Sequence, residues 1–544
     1  MTSQALHAVT DLRDAARQDS PAHWRALAAC LLATVAANID PPILTSTSSG
    51  VQGALRIEPT TAATIVGLYY LIQASLMAGG GVLGDRYGLR RLLVIGLGGM
   101  FVFAILSAVA PDPATLTLAR AGVDVFTALV LPLSLANVMI TFNPRVLPIA
   151  VGIYLSVQLV ALLSAATVAV LLYNLFGLGA TWLPALAFAG LGFVTARRWL
   201  PADRIGERLR RVDAVTLALW SFGMLGLVYG IVAFVGGWGT GIGLALVAGV
   251  ILVGWAAFRL SRRAGSRIHP PQVPFRVVGV ALVTGAIIAL AQSGTLLQLS
   301  NFLKGVQGYG PIQSGLAFVP FGAATLVAAL ATGVVLANRL SKGEGSLRLY
   351  RIPIAAGLLI VGLAIASFAL FQADTSYLFI GTAMAVLGLG ASVANVPRTA
   401  LLFSSVDTGR IGIAAGLNGA AVILGSALGN VAVTTMITLS NANAMHDLFM
   451  QAGMTAEQAA AAMTDLAYRL FIATAHPFEG PTYLDVVKQI PGWAALFTEA
   501  FGAAMLVIAS IAIFGALLAW LALRGGEVSG GSPFAGGRDG APGS

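Results

Sequence analysis

The chain has 544 residues, 57% of them hydrophobic and 10% charged, with 64 glycines and a formal net charge of +9. So little charge over so long a chain excludes a water-soluble protein. The basic excess falls mainly in short loops between apolar runs, where it reads as a topology signal and not as a nucleic-acid surface.

Residues 1–24 precede the first apolar run and form a cytoplasmic N-terminal segment. Arg13, Arg17 and Arg25 before Ala26–Ala37 resemble a secretory leader, but the many spans that follow favour an uncleaved first helix. Hydrophobic windows of about 20 residues match about 30 Å of hydrocarbon at 1.5 Å per residue. Such windows fall near 26–48, 61–83, 91–110, 114–140, 147–172 and 177–195, then 214–235 and 240–258. Six more fall near 277–300, 312–336, 352–371, 377–402, 411–438 and 498–523. The fold class expected is an all-α integral membrane protein with fourteen transmembrane helices arranged 6+2+6. Its units are a six-helix bundle over 25–195, cytoplasmic linkers with two extra helices over 196–276, and a second six-helix bundle over 277–523.

Arginine placement orients the spans. With both termini inside, the inner loops carry most of the basic residues, from Arg86, Arg90 and Arg91 through Arg197, Arg198 and Arg339 to Arg410. The outer loops carry only Arg56, Lys304, Arg469 and Lys488. The long outer loop, 439–497, contains "TAEQAAAAMTDLAYRL", expected as a helix outside the bilayer with Thr455 and Gln458 at capping-box spacing. The cytoplasmic tail 524–544 is rich in Gly, Pro and Ser and is expected to be disordered.

"GGGVLGDRYGLRR", residues 79–91, follows the second span. Gly81 and Gly84 let a neighbouring helix approach, Asp85 suits a helix end, Gly88 suits a tight turn, and Arg86, Arg90 and Arg91 anchor the loop inside. The complete spacing resembles the signature loop of the major facilitator superfamily. That resemblance implies the major facilitator fold, in which this loop latches two six-helix halves on the cytoplasmic side and governs alternating access. "NFLKGVQGYGPIQSGLAFVP" (301–320) and "GLNGAAVILGSALG" (416–429) resemble segments of the fourteen-span drug:proton antiporters. The second holds Gly425 and Gly429 as a GxxxG packing pair. In span 4, Arg120 and Pro132 keep the spacing of that branch, while Val123 and Asp124 replace its Gln-Gly. In span 5, Ala165, Ala166, Ala169 and Val170 replace the Gly-Pro and Gly-Gly of its kink.

Ionisable residues inside a span cost roughly 2.5–3.5 kcal/mol on insertion scales, so each needs a partner or a watered cavity. Asp40, Arg120 and Asp124 qualify. Helix rise puts Asp40 about 22 Å from the inner face and Arg120 about 10 Å from the outer, so the two lie at similar depth. Asp124 stands four residues after Arg120, where an i,i+4 pair can form. The resemblance carries Asp40 over as a proton or substrate carboxylate. Two bland alternatives stand beside it: Asp40 capping an outer half broken at Pro41 and Pro42, and Arg120 with Asp124 as a self-neutralising pair that only pins span 4. Gln158, Gln292, Gln298 and Asn301 are candidates for the cavity lining or for helix packing, and Arg398 is expected to snorkel at the inner end of span 12.

The expected function is secondary transport: proton-coupled efflux of hydrophobic or amphipathic small molecules across a bacterial inner membrane. Protons, the lipid bilayer and a small-molecule substrate are the partners implied, with a periplasmic adaptor protein as a further candidate. A facilitator or importer, and a transport-inactive membrane interaction protein, are the alternatives. Cys30 is the only cysteine, all five histidines lie in loops or termini, and no phosphate-binding glycine loop is present. No metal, cofactor, nucleic acid or enzymatic chemistry is therefore expected.

Overall fold

The structure, a computed structural model, describes residues 21–47, 51, 55, 59–143, 146–203, 214–235, 242–262, 275–342, 346–406, 408–455 apart from 452, positions 457, 458, 461, 462 and 465, and 492–524. The tail beyond Arg524 and most of the segment between Thr455 and Gly492 lie outside these residues.

The first group of helices comprises α1 (Pro21–Ser46), α2 (Pro59–Tyr87), α3 (Leu89–Ala108), α4 (Pro113–Thr141), α5 (Leu147–Phe176) and α6 (Leu183–Trp199). Next come α7 (Ala214–Val235) and α8 (Ile242–Arg262). The last group is α9 (Phe275–Gly305), α10 (Val319–Ser341), α11 (Leu347–Ser367), α12 (Tyr377–Ser404), α13 (Ile411–Gln451) and α14 (Trp493–Ala522), with a single turn of helix, Pro311–Leu316, before α10. Among the described residues, ten helices are long and apolar enough to cross a membrane, eleven if α5, bent at one break, counts as one span. The protein is thus a multi-pass, all-helical membrane protein.

Apolar residues cover these helices all round, as a lipid solvent requires, because burial and lipid exposure favour the same side chains. What distinguishes the packed faces is small residues. A methyl group on Gly425 or Gly429 of α13 would collide with the carbonyl oxygens of Ala286 or Leu290 on α9, so the expected GxxxG pair sits at a helix crossing. The α7 and α8 pair meets in the same way, with Gly226 facing the Ala245 carbonyl and Gly249 facing that of Gly223.

Helix ends follow local chemistry. Asp112 caps α4, accepting from the Ala114 and Thr115 amides at 2.9 Å with Pro113 as first helical residue. The Thr115 hydroxyl and amide hold the Asp112 carboxyl below its usual range. Thr455 and Gln458 exchange capping-box bonds, Gln458 Oε1 accepting from the Thr455 amide at 2.9 Å and Thr455 Oγ1 from the Gln458 amide at 3.3 Å.

Three expectations about helices change. α1 does not break at Pro41 and Pro42 but continues through both to Ser46, so Asp40 lies within the helix and caps nothing. α5 bends by 40° between Leu162 and Thr167 although the Gly-Pro kink is absent. α13 does not end near residue 438. Its 41 residues run to Gln451, because "TLSNANAMHDLFMQ" contains neither Gly nor Pro, and it stops only where Gly453 adopts φ +84. There the Gly453 and Met454 amides return to the carbonyls of Met450 and Phe449.

Candidate functional site

Asp40 on α1 and Arg120 on α4 meet across the first helix group. Arg120 Nη1 donates to Asp40 Oδ1 at 2.8 Å and Nη2 to Oδ2 at 2.5 Å, and both residues are 1% exposed. The planar guanidinium fork matches the carboxylate, which gives two parallel charge-assisted bonds. Trp182, from the turn before α6, places its ring 4.8 Å from the Arg120 guanidinium carbon and closes one side of the pair. The similar depth read from helix rise thus corresponds to a direct contact.

Asp124 does not form the expected i,i+4 pair. It is equally buried, yet neither carboxyl oxygen has a hydrogen-bond partner, and Arg120 Nε is likewise unpartnered. The tertiary partner on α1 has taken both terminal nitrogens of the arginine. Two further residues escaped sequence reasoning. Gln73 on α2 is wholly buried with both amide atoms unpartnered, and Tyr69, one turn earlier, feels the charges of Asp124 and Asp40. Nothing in the isolated sequence distinguished either from ordinary helix residues.

A second constellation lies at the arginine-rich face. Asp85, beyond the apolar run of α2, accepts from the Gly412 amide at 2.7 Å and the Ile413 amide at 2.8 Å, the first turn of α13. A carboxylate there satisfies free amides and meets the positive end of the helix dipole. Gly81 is required beside it, since any side chain would strike the Gly412 backbone, and Gly416 meets the Met77 backbone one turn deeper. Gly84 faces the Leu133 side chain of α4. Burial pushes the Asp85 carboxyl up to about 7, against the lowering effect of the two amides and of Arg410.

The loop itself is held from an unexpected quarter. Gly88 has φ +108 and lies against the Asp203 carboxylate, which accepts from the Arg90 amide at 3.0 Å and the Arg91 amide at 3.1 Å, capping α3. Arg90 also donates to the Arg197 carbonyl, and Arg86 stacks over the Tyr87 ring at 5.2 Å.

The same face carries one more junction between the helix groups: Gly333 on α10 meets the Pro148 carbonyl on α5, and Gly152 meets the Ala329 carbonyl. Two crossings of small residues therefore close the two groups against each other at the arginine-rich end. The sequence profile of the Major Facilitator Superfamily matches residues 26–430.

The chain belongs to the major facilitator superfamily.

It is a transporter and not an enzyme, as its relatives also indicate. The Tetracenomycin C resistance and export protein of Streptomyces glaucescens is 26% identical over 502 residues, 90% of this chain and 91% of its own. The Multidrug efflux pump LfrA of Mycolicibacterium smegmatis is 27% identical over 499 residues, 90% and 95% respectively. The crystal structure of the human organic anion transporter MFSD10 matches with a TM-score of 0.55 over 92% of this chain and 100% of its own, at 14% identity, a likeness of fold.

Within this major facilitator the remaining candidates divide. Gln298 donates to Thr434 Oγ1 at 2.7 Å and accepts from Asn301 Nδ2 at 3.0 Å, so both belong to a polar link between α9 and α13. Gln158 donates to Asn38 Oδ1 at 3.2 Å, joining α5 to α1, and Gln292 is half-buried. Pro132 lies buried within an uninterrupted α4. Tyr70 of α2 accepts from Asn430 Nδ2 of α13 at 2.8 Å, a bond between the first and last helix groups.

Arg398 corrects an expectation. It does not snorkel: it is 1% exposed and donates to Asn395 Oδ1, the Ala281 carbonyl, Asn418 Oδ1 and Thr399 Oγ1 at 2.7–3.1 Å. Neutral oxygens satisfy its fork, and the absence of a side chain at Gly285 makes room for it.

Proposed function

We propose that this protein is a proton-coupled exporter of hydrophobic or amphipathic small molecules, working by alternating access in a bacterial inner membrane. Fourteen spans in a 6+2+6 arrangement, with both termini and the arginine-rich face cytoplasmic, accommodate the helix order and the basic loops. In this reading Asp85 and Gly81 latch α2 to α13 and keep the cytoplasmic side shut. The Asp40–Arg120 pair sits beyond the closure, towards the outside, where water arrives when the outer side opens. Gly84, Gly88, Arg86, Arg90 and Arg91 shape and hold the latch loop.

The observation that carries the reading is the buried, bidentate Asp40–Arg120 pair joining α1 to α4 within the membrane. Removing ions from water is costly, so a charged pair retained inside a span marks a pathway or a relay. The named activities of the export relatives support the direction, outward. The test is transport in proteoliposomes with an imposed pH gradient. Substrate flux that follows the gradient and reverses with it is expected, and flux indifferent to the gradient would exclude coupling.

A further inference from the structure

Where α1 begins and α6 ends, the arginine-rich face carries an open groove of about 440 Å³ lined by Arg25, Val194, Thr195, Arg198 and Trp199. The two helices pack together beneath it, Gly192 of α6 facing the Ala33 backbone of α1, so side chains remote in sequence share one concavity. Its charged donors are the two arginines. The Thr195 hydroxyl is engaged with the Leu191 carbonyl of its own helix at 2.7 Å. Both guanidiniums are exposed, and among the described residues neither has a hydrogen-bond or ion-pair partner. The equivalent seam of the last helix group differs. Where α9 begins and α14 ends, Arg351 and Arg524 lie over the Trp520 ring, their guanidinium carbons 4.2 and 5.7 Å from its centre, and Arg276 Nη2 donates to the Arg524 carbonyl at 3.5 Å. There the arginines have protein partners; in the α1–α6 groove they do not.

Apolar surface continues from the groove towards the bilayer. Val194 and, one turn deeper, Leu191 are more than half exposed, and Trp199 is exposed at the helix end, where amphipathic rings anchor among headgroups. A topology signal accounts for arginines near a membrane surface, but not for two of them converging from distant segments on a groove with an apolar border. We propose that this groove binds an anionic phospholipid of the leaflet next to the arginine-rich face, the arginines holding its phosphates while Val194 and Leu191 border an acyl chain. Two unpaired guanidiniums match a headgroup with two phosphates, each met by a planar fork, so the ligand is a cardiolipin. The bound lipid bridges the ends of α1 and α6. The site lies fifteen residues along α1 from Asp40, and its occupancy does not depend on how transport is driven.

The test uses the purified full-length protein, delipidated in neutral detergent and titrated with tetraoleoyl cardiolipin, with native mass spectrometry reading the bound lipid. Wild type is expected to bind cardiolipin more tightly than dioleoyl phosphatidylglycerol, and more weakly as salt rises. Arg25→Gln and Arg198→Gln should each weaken cardiolipin binding about fivefold, and the double variant about thirtyfold. Arg348→Gln, which removes an exposed arginine outside the groove, should leave it unchanged. Arg25→Lys combined with Arg198→Lys keeps both charges and should bind more tightly than the glutamine pair. Wild-type affinity in the double glutamine variant, or a lysine pair no tighter than the glutamine pair, would overturn the site. Phosphatidylglycerol bound as tightly as cardiolipin would overturn the assignment to a lipid with two phosphates. Displacement of cardiolipin by an equal concentration of pyrophosphate would make the ligand a soluble anion and sink the lipid assignment.

Discussion

The carboxylate of Asp85 at the end of α2 accepts the backbone amide of Gly412 at 2.7 Å, so an acid from one helix group caps a helix of the other, 327 residues away. Burial raises that carboxyl to about 7. Under the proposed alternating access, opening would return it to water and to its ordinary value near 3.8. The closed form therefore binds the proton more tightly, and closure is favoured at low pH and loses that advantage as pH rises from about 4 through about 7. Cross-linking between α2 and α13 at the arginine-rich face, followed against pH, should show this decline in wild type and a flat profile in Asp85→Asn.

Gly81 tolerates no side chain because the α13 backbone lies against it, whereas Gly79 has open space within 4 Å. Gly81→Leu is expected to hold the arginine-rich side open and abolish transport, and Gly79→Ala to leave transport near wild type. Thiol labelling of cysteines introduced along the closed seam measures the first effect, and flux the second.

Removing one member of a buried ion pair leaves the other charge stranded. Arg120→Leu should cost about 3–5 kcal/mol of stability, and Arg120→Leu combined with Asp40→Asn should recover much of that loss. Thermal unfolding of the single and double variants in detergent measures the recovery. Additive losses would mean the two side chains act separately.

Arg398 is held by four neutral acceptor groups on three helices, and lysine has three donors and no planar fork. Arg398→Lys is expected to lower stability by about 2–4 kcal/mol by leaving buried oxygens unpaired. Unfolding midpoints compared with those of Lys342→Arg, an exposed exchange, check the effect.

The sequence announced those features whose signal is local or periodic. Apolar windows located the helices, arginine asymmetry distinguished one face, and the 79–91 spacing marked a loop in which the structure places Gly81, Gly84 and Gly88 at close approaches. Depth arithmetic brought Asp40 and Arg120 to the same level. What remained hidden depended on partners distant in sequence. Asp203 reaches the α3 amides across 113 residues without any spacing that would advertise it. The i,i+4 rule favoured Arg120 with Asp124, but a bidentate partner on another helix offered better geometry. Arg398 stands six residues from the end of α12, close enough to suggest escape to water, and only the folded positions of Ala281 and Asn418 reveal why it stays inside.

The unbroken length of α13 has a mechanical consequence. Its 41 residues make a rod of about 60 Å, about twice the thickness of the hydrocarbon, pinned at one tip by Asp85 and crossed near its middle by α9. A rod so held behaves as a lever: a tilt of about ten degrees about the pinned tip would sweep the far tip through about 10 Å. A small rotation at one surface of the membrane would thereby be magnified into a stroke about the width of a helix at the other.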